Sequence, residues 1–100
     1  MNFINLTPHN ITLNDGTIYP ASGIVARVSS VYVDKGNGFY TVDFGDIVNL
    51  PEPVNHTFYI VSGLVANATN RPDVIAPATG HADAIRINGQ IVSVPGFIIK

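Results

Sequence analysis

The chain has 100 residues, no cysteine, 12% charged residues and a formal net charge of -2. That length predicts one domain, 1–100, with a single core, and the missing cysteine excludes disulfides, thiolate chemistry and cysteine-ligated zinc. Five Lys and Arg in total are too few for a phosphate-backbone binder, so no nucleic-acid polymer is expected as a partner, whereas a small anion needs just one or two cations and some backbone amides.

In chain order, Phe3, Ile4 and Leu6 predict a strand that the turn Thr7-Pro8-His9-Asn10 interrupts. Ile11 and Leu13 alternate with Thr12 and Asn14 up to Asp15-Gly16, a tight-turn pair. After "TIYP" and Ala21-Ser22-Gly23, the β-branched run "IVARVSSVYV" favours a strand, and "KGNG" at 35–38 turns it into a hairpin partner, "FYTVDFG". "LPEPV" at 50–54 reads as an extended connection, because each proline removes a ladder donor. Thr57 to Val61 predicts a buried strand. Gly63 to Thr69 is the best helix candidate, with Ser62 as N-cap and Asn70 and Pro72 as the stop. "DVIAPATGHADA" reads as a loop or edge segment, and Asn88-Gly89 joins "AIRI" to "QIVSV" as a type I′ hairpin before "GFIIK" ends the chain. The predicted fold is mainly β (α+β): a compact antiparallel β-sandwich or partly closed barrel with one short α-helix.

No apolar run reaches the length of a membrane span, and the opening residues carry no basic region before an apolar stretch, so a soluble intracellular protein is expected, without a membrane partner. The charged fraction is about half the usual roughly 25%. A homo-oligomer, whose interface core is depleted in charge, accounts for this. A monomer with a neutral polar surface is the alternative.

No catalytic motif is present. His9, His56 and His81 lack helical metal-pair spacing, and His81-Ala82-Asp83 offers two ligands where a closed site needs about four, so no metal is expected. No G-x-S-x-G elbow surrounds a serine, and nothing local pairs two of the carboxylates. The four Asn-x-Thr triplets read as turn and strand composition. The strongest physical lead is Ser62-Gly63, where a strand passes into a helix: unpaired N–H groups and the helix dipole favour a phosphate there. Arg71, held by Pro72, has the fork for a bidentate phosphate contact, Asp73 accepts from a ribose hydroxyl or fixes the arginine, and Tyr59 or Tyr40 offers a ring for a base. The plain alternative is that Ser62 caps the helix and Arg71 pairs with Asp73 to close a loop.

The segments "INLTPHNITL" (4–13), "YPASGIVARV" (19–28), "LPEP" (50–53), "YIVSGLVANA" (59–68) and "RPDVIAP" (71–77), in this order, resemble a small protein family widespread in bacteriophages and prophages. The resemblance covers nearly the whole chain and names no activity. It implies, by analogy with phage sponge proteins, a small oligomeric protein of the host cytoplasm that captures a nucleotide immune signal without cleaving it. Such signals include the ADP-ribose isomers and adducts made by TIR enzymes of Thoeris defence, and the cyclic dinucleotides of CBASS. An ADP-ribose-type ligand is favoured, since one pyrophosphate suits one helix terminus and one or two arginines. On this reading Ser62 and Gly63 hold pyrophosphate, Arg71 binds phosphate, Asp73 meets ribose or orients Arg71, and Thr7, His9 and Asn10 contact the base or second ribose. Arg27 is a reserve phosphate ligand, and no catalytic residue or cofactor is implied. The alternatives are a small phage structural or assembly protein and an enzyme that cleaves such a signal.

Overall fold

The computed structural model describes all 100 residues. Its elements are β1 (Asn2–Asn5), β2 (Ile11–Thr12), β3 (Ile18–Tyr19), β4 (Arg27–Gly36), β5 (Phe39–Val48), β6 (Thr57–Ile60), α1 (Gly63–Asn67), β7 (Val74–Pro77), β8 (Ile85–Ile87), β9 (Gln90–Ser93) and β10 (Phe97–Ile98). The protein is therefore mainly β with one short helix. Its strands form a four-stranded sheet, β1-β6-β7-β10, and three two-stranded hairpins, β2-β3, β4-β5 and β8-β9.

The sheets do not close into a barrel, and the central one is not antiparallel throughout. β1 runs parallel to β6 and β6 parallel to β7, while β10 alone pairs antiparallel, with β7. The reason is the short helix: α1 carries the chain back along β6, so the next strand starts at the same end of the sheet, as a β-α-β crossover requires. The segment expected as a loop or edge, 73–84, contributes β7, which lies between β6 and β10 with Val74, Ile75 and Ala76 buried. Pro77 is compatible with this because it is the last residue of the strand, where a missing N–H is cheap.

Where turn chemistry is local, the expected pieces appear. Asn37 and Gly38 (φ 57° and 81°) and Asn88 and Gly89 (φ 53° and 80°) all take positive φ, the condition for the two-residue type I′ turns that close β4-β5 and β8-β9.

The two faces of the central sheet differ. On one, Leu6, Tyr59, Val61, Val74 and Ala76 pack with Val65 and Ala66 of α1 and with Ala26, and the base of the β4-β5 hairpin adds Val28 and Ile47. On the other, Phe3 stacks on Phe58 and Phe97, with centroids 5.6 and 6.2 Å apart, and Tyr19 packs 5.1 Å from Phe3. Only 16 of 100 residues are buried, so this core is small for the chain length. The cause is the β4-β5 hairpin, whose ten-residue strands span about 33 Å each and leave the body of the protein. The molecule measures 47 × 36 × 23 Å with a radius of gyration of 15.0 Å, against about 13 Å for a compact chain of this size.

Candidate functional site

The site starts at the carboxyl ends of β1 and β6. Parallel strands leave side by side there and their chains diverge, which opens a crevice in sheets of this kind. Here the residues after β1 (Leu6, Thr7, Pro8), those after β6 (Ser62, Leu64, Val65) and the start of β4 (Val25, Ala26, Arg27, Val28) line a cleft of about 260 Å³. Three residues singled out from sequence, Thr7, Arg27 and Ser62, therefore meet in one place.

Each has a distinct local cause. Ser62 is extended (φ -65°, ψ 159°) and its Oγ accepts the Val65 N–H at 3.3 Å, the expected N-cap. The N–H groups of Gly63 and Leu64 precede the first intrahelical bond and have no partner within the helix, and the space around Gly63 is open. α1 spans five residues, shorter than the expected 63–69. Arg27 opens β4 opposite Val48 and has neither a carboxylate partner nor a side-chain hydrogen bond; both ion pairs in the structure lie elsewhere. Thr7 is buried, and its hydroxyl is occupied.

That hydroxyl belongs to a network centred on Asn5, which is 2% exposed. Asn5 Oδ1 accepts the Thr7 N–H at 2.9 Å and the Thr7 hydroxyl at 2.7 Å, while Asn5 Nδ2 donates to the carbonyls of His9 (2.8 Å) and Tyr19 (2.9 Å). One amide thus ties the 7–10 turn to β3 and sets the rim of the cleft. His9 contributes its backbone carbonyl, and Asn10 Oδ1 accepts the Ala21 N–H at 2.9 Å. Their expected role as ligand contacts gives way to turn construction at those atoms; neither residue lines the cleft. Asn5 went unremarked in the sequence because Asn5-Leu6-Thr7 reads as one of four similar triplets. Its signal was the proximity of a two-residue Asn-to-Thr contact to a proline-fixed turn.

Arg71, Asp73 and Tyr59 are not part of the cleft. The crossover puts Ser62 at the carboxyl end of β6 and Arg71 at the amino end of β7, so the continuous cradle expected from Ser62 to Arg71 is split between opposite ends of the sheet. Arg71 Nε and Nη2 donate to Asp73 Oδ1 and Oδ2 at 3.0 and 2.7 Å. This fork holds the Asp73 carboxyl below its usual range and raises the Arg71 guanidinium above its own. The guanidinium carbon also lies 5.9 Å from the centre of the Tyr59 ring. Tyr59 is 2% exposed and its hydroxyl donates to the Glu52 carbonyl at 3.3 Å, so its ring is a core element that anchors the proline-rich link and has no free face for a base. Tyr40 lies on the β4-β5 hairpin, away from the cleft.

The remaining expected chemistry is local. Asp83 N–H donates to His81 Nδ1 at 2.9 Å, a turn contact, and no three His or carboxylate side chains gather into a group that would hold a metal ion. No helix is long and apolar enough to cross a membrane. No protein-family model, curated protein or solved structure matches the chain.

Proposed function

We propose that this chain is a phage-borne protein of the host cytoplasm that sequesters a nucleotide immune signal of the ADP-ribose type, with a phosphate of the ligand held in the cleft between Thr7, Arg27 and Ser62. The observation that carries the reading is Arg27, a cation with no carboxylate partner that lines the same cleft as the start of α1. A guanidinium and free backbone amides are the groups that bind phosphate oxygens. The cleft lining contains no carboxylate and no imidazole, which favours capture over cleavage, since acid-base chemistry needs such a group within hydrogen-bond reach. Six of its ten lining residues are apolar, a surface suited to a ribose or base edge. The choice of an ADP-ribose-type signal rests on the resemblance to the phage family.

A second reading, a small structural or assembly protein of the phage particle, draws on the exposed β4-β5 hairpin. One experiment separates these and the enzymatic alternative. The purified protein is incubated with ADP-ribose derivatives and cyclic dinucleotides, freed of unbound ligand, denatured, and the released molecules are identified by mass spectrometry. Sequestration predicts an intact signal from the wild type and at least tenfold weaker binding by Arg27→Ala, the scale of a lost charge-assisted bond. A converted product would indicate an enzyme, and retention of nothing would favour the structural role.

A further inference from the structure

Asp15-Gly16, Asn37-Gly38 and Asn88-Gly89 all lie in exposed turns. Such steps share a chemistry. The glycine nitrogen, with no side chain beside it, can attack the side-chain carbonyl carbon of the residue before it and close a five-membered imide. What separates the three is whether these groups are already engaged. At Asp15-Gly16 they are: the Gly16 N–H donates to the Leu13 carbonyl at 2.9 Å, and Asp15 Oδ1 accepts the Thr17 N–H at 2.9 Å. The bond from Thr17 holds the Asp15 carboxyl below its usual range, and an ionised carboxylate is a poor electrophile. At the other two steps no acceptor faces the Gly38 or Gly89 N–H, and the space where a Cβ would stand on either glycine is open. The side chains of Asn37 and Asn88 make no hydrogen bond, whereas those of Asn5, Asn10, Asn14 and Asn49 are all bonded.

Ring closure also requires rotation about the Cα–C′ bond of the asparagine, which brings its Cβ level with the glycine nitrogen. The left-handed conformation of Asn37 and Asn88 (φ 57° and 53°) in a type I′ turn holds them apart, so the reaction waits on opening of the turn. The two hairpins differ in how cheaply that happens. β8-β9 is held close to its turn: Arg86 Nη2 donates to the Thr79 carbonyl at 2.6 Å, and the Ser93 hydroxyl donates to Asn14 Oδ1 at 2.6 Å. β4-β5 touches the core only near its base, through Val28 and Ile47, which leaves its turn about 30 Å out along unsupported strands. Its ladder is also irregular just below the turn, between Asp34 and Gly36, where Asp34 Oδ1 accepts the Gly36 N–H at 2.7 Å. A lone two-stranded hairpin is marginal in water, and local opening is cheapest where packing is least.

We propose that Asn37 is a site of spontaneous deamidation, with water as the co-reactant, and that it converts ahead of Asn88. The Gly38 nitrogen bonds to Asn37 Cγ, the Cγ–Nδ2 bond breaks, and the amide leaves as ammonia with the Gly38 proton. Water then adds to either imide carbonyl and cleaves its bond to the Gly38 nitrogen, which regains a proton. Cleavage at Cγ gives aspartate. Cleavage at the main-chain carbonyl gives isoaspartate, whose backbone runs through Cβ and Cγ and is one carbon longer. Either product adds one negative charge to a chain of net charge -2. Isoaspartate also lengthens the two-residue turn, so the pairing of Gly36 with Phe39 is lost and the hairpin opens from its tip.

The inference stands independently of any ligand. Its test is incubation of the full-length protein at neutral pH, with samples digested at intervals and each Asn-Gly peptide followed by mass spectrometry. The peptide that spans Asn37 is expected to gain one mass unit at least about fivefold faster than the one that spans Asn88. In urea, where both turns are lost, the two rates should draw together. Asn37→Gly, which also suits a type I′ turn, should keep the hairpin closed and abolish the change at this position. Hydrogen exchange in β5 beside the turn should be faster in the isoaspartate form than in the wild type, and unchanged in Asn37→Asp. An Asn37 peptide that keeps its mass while the unfolded chain converts overturns the proposal. Earlier conversion of Asn88, or a rate ratio that persists in urea, overturns opening of the β4-β5 tip as the cause, and unaltered exchange overturns the effect on the turn.

Discussion

Arg71 and Asp73 grip each other through two parallel hydrogen bonds of 3.0 and 2.7 Å across a single proline, with side chains 25% and 16% exposed. The pair closes the loop between α1 and β7, and Asp73 in turn passes its backbone carbonyl to the Tyr59 N–H at 2.9 Å. Arg71 therefore stabilises the parallel pairing of β6 and β7.

Because the hydrogen bonds from Arg71 hold the Asp73 pKa below its unfolded value, their contribution is fully present above about pH 4 and is lost as pH falls through the lower, folded value. Asp73→Asn should cost up to about 1 kcal/mol at pH 7 and flatten the acid limb of the stability curve. Urea unfolding of both proteins from pH 7 to pH 2 checks this. Equal acid sensitivity of the two would show that the pair contributes nothing.

Ser62 has two assigned roles that a pair of substitutions separates. Ser62→Ala removes the cap and should cost about 1 kcal/mol. Ser62→Asp keeps a capping oxygen, so its melting temperature should stay near that of the wild type, while its negative charge should abolish binding of a phosphate-bearing ligand. Nucleotide retention by Ser62→Asp at wild-type affinity would move the ligand out of this cleft.

Asn5 is expected to be the most sensitive polar position in the chain. Asn5→Ala leaves the Thr7 amide and the Tyr19 carbonyl without their side-chain partner, while the Thr7 hydroxyl and the His9 carbonyl keep each other at 2.9 Å, at a cost of about 2–4 kcal/mol in chemical denaturation. Asn5→Asp faces the same two carbonyls with a carboxylate, so its folded pKa is raised and its deficit should shrink as the pH is lowered. A deficit that does not change with pH would mean that water enters the turn.

At Gly45 an added Cβ would run into the Ser29 hydroxyl, beside the irregular register between Val28 and Ser30. Gly45→Ala should therefore lower stability by about 1 kcal/mol, and Ser29→Ala in the same chain should recover most of it. Thermal melts of the two single variants and the double variant complete the cycle. Additive losses would place the strain elsewhere.

The features legible in the sequence were those fixed within a few residues. Ser62 as a cap, the Asn37-Gly38 and Asn88-Gly89 turns and the Arg71-Asp73 pair all depend on neighbours in the chain, and each is found. The parallel sheet was not legible, because nothing near Phe3 says that its partner is Phe58. Val74–Pro77 lies in a segment that the sequence marks, by its proline and glycine, as a loop or edge, and only the place of Pro77 at the strand end makes it compatible with a strand between two others. The cleft was half legible. Thr7, Arg27 and Ser62 were each marked by residue type, but that they share one cleft, while Arg71 lies at the far end of the sheet, follows from the crossover and not from any spacing.

The pairing of β1 with β6 joins Asn2 to Thr57 and Asn5 to Ile60. The first strand to leave the ribosome thus waits for a partner 55 residues behind it, about 3–11 s at ordinary rates of synthesis. Through that interval Ile4 and Leu6 have no strand to pair with, while the β4-β5 hairpin, whose contacts are local, is complete and free to close. For β1, then, order of synthesis and order of pairing differ. The N-terminal strand is set into the sheet only once β6 has been made, and the cleft beside it does not exist until Ser62, Leu64 and Val65 have followed.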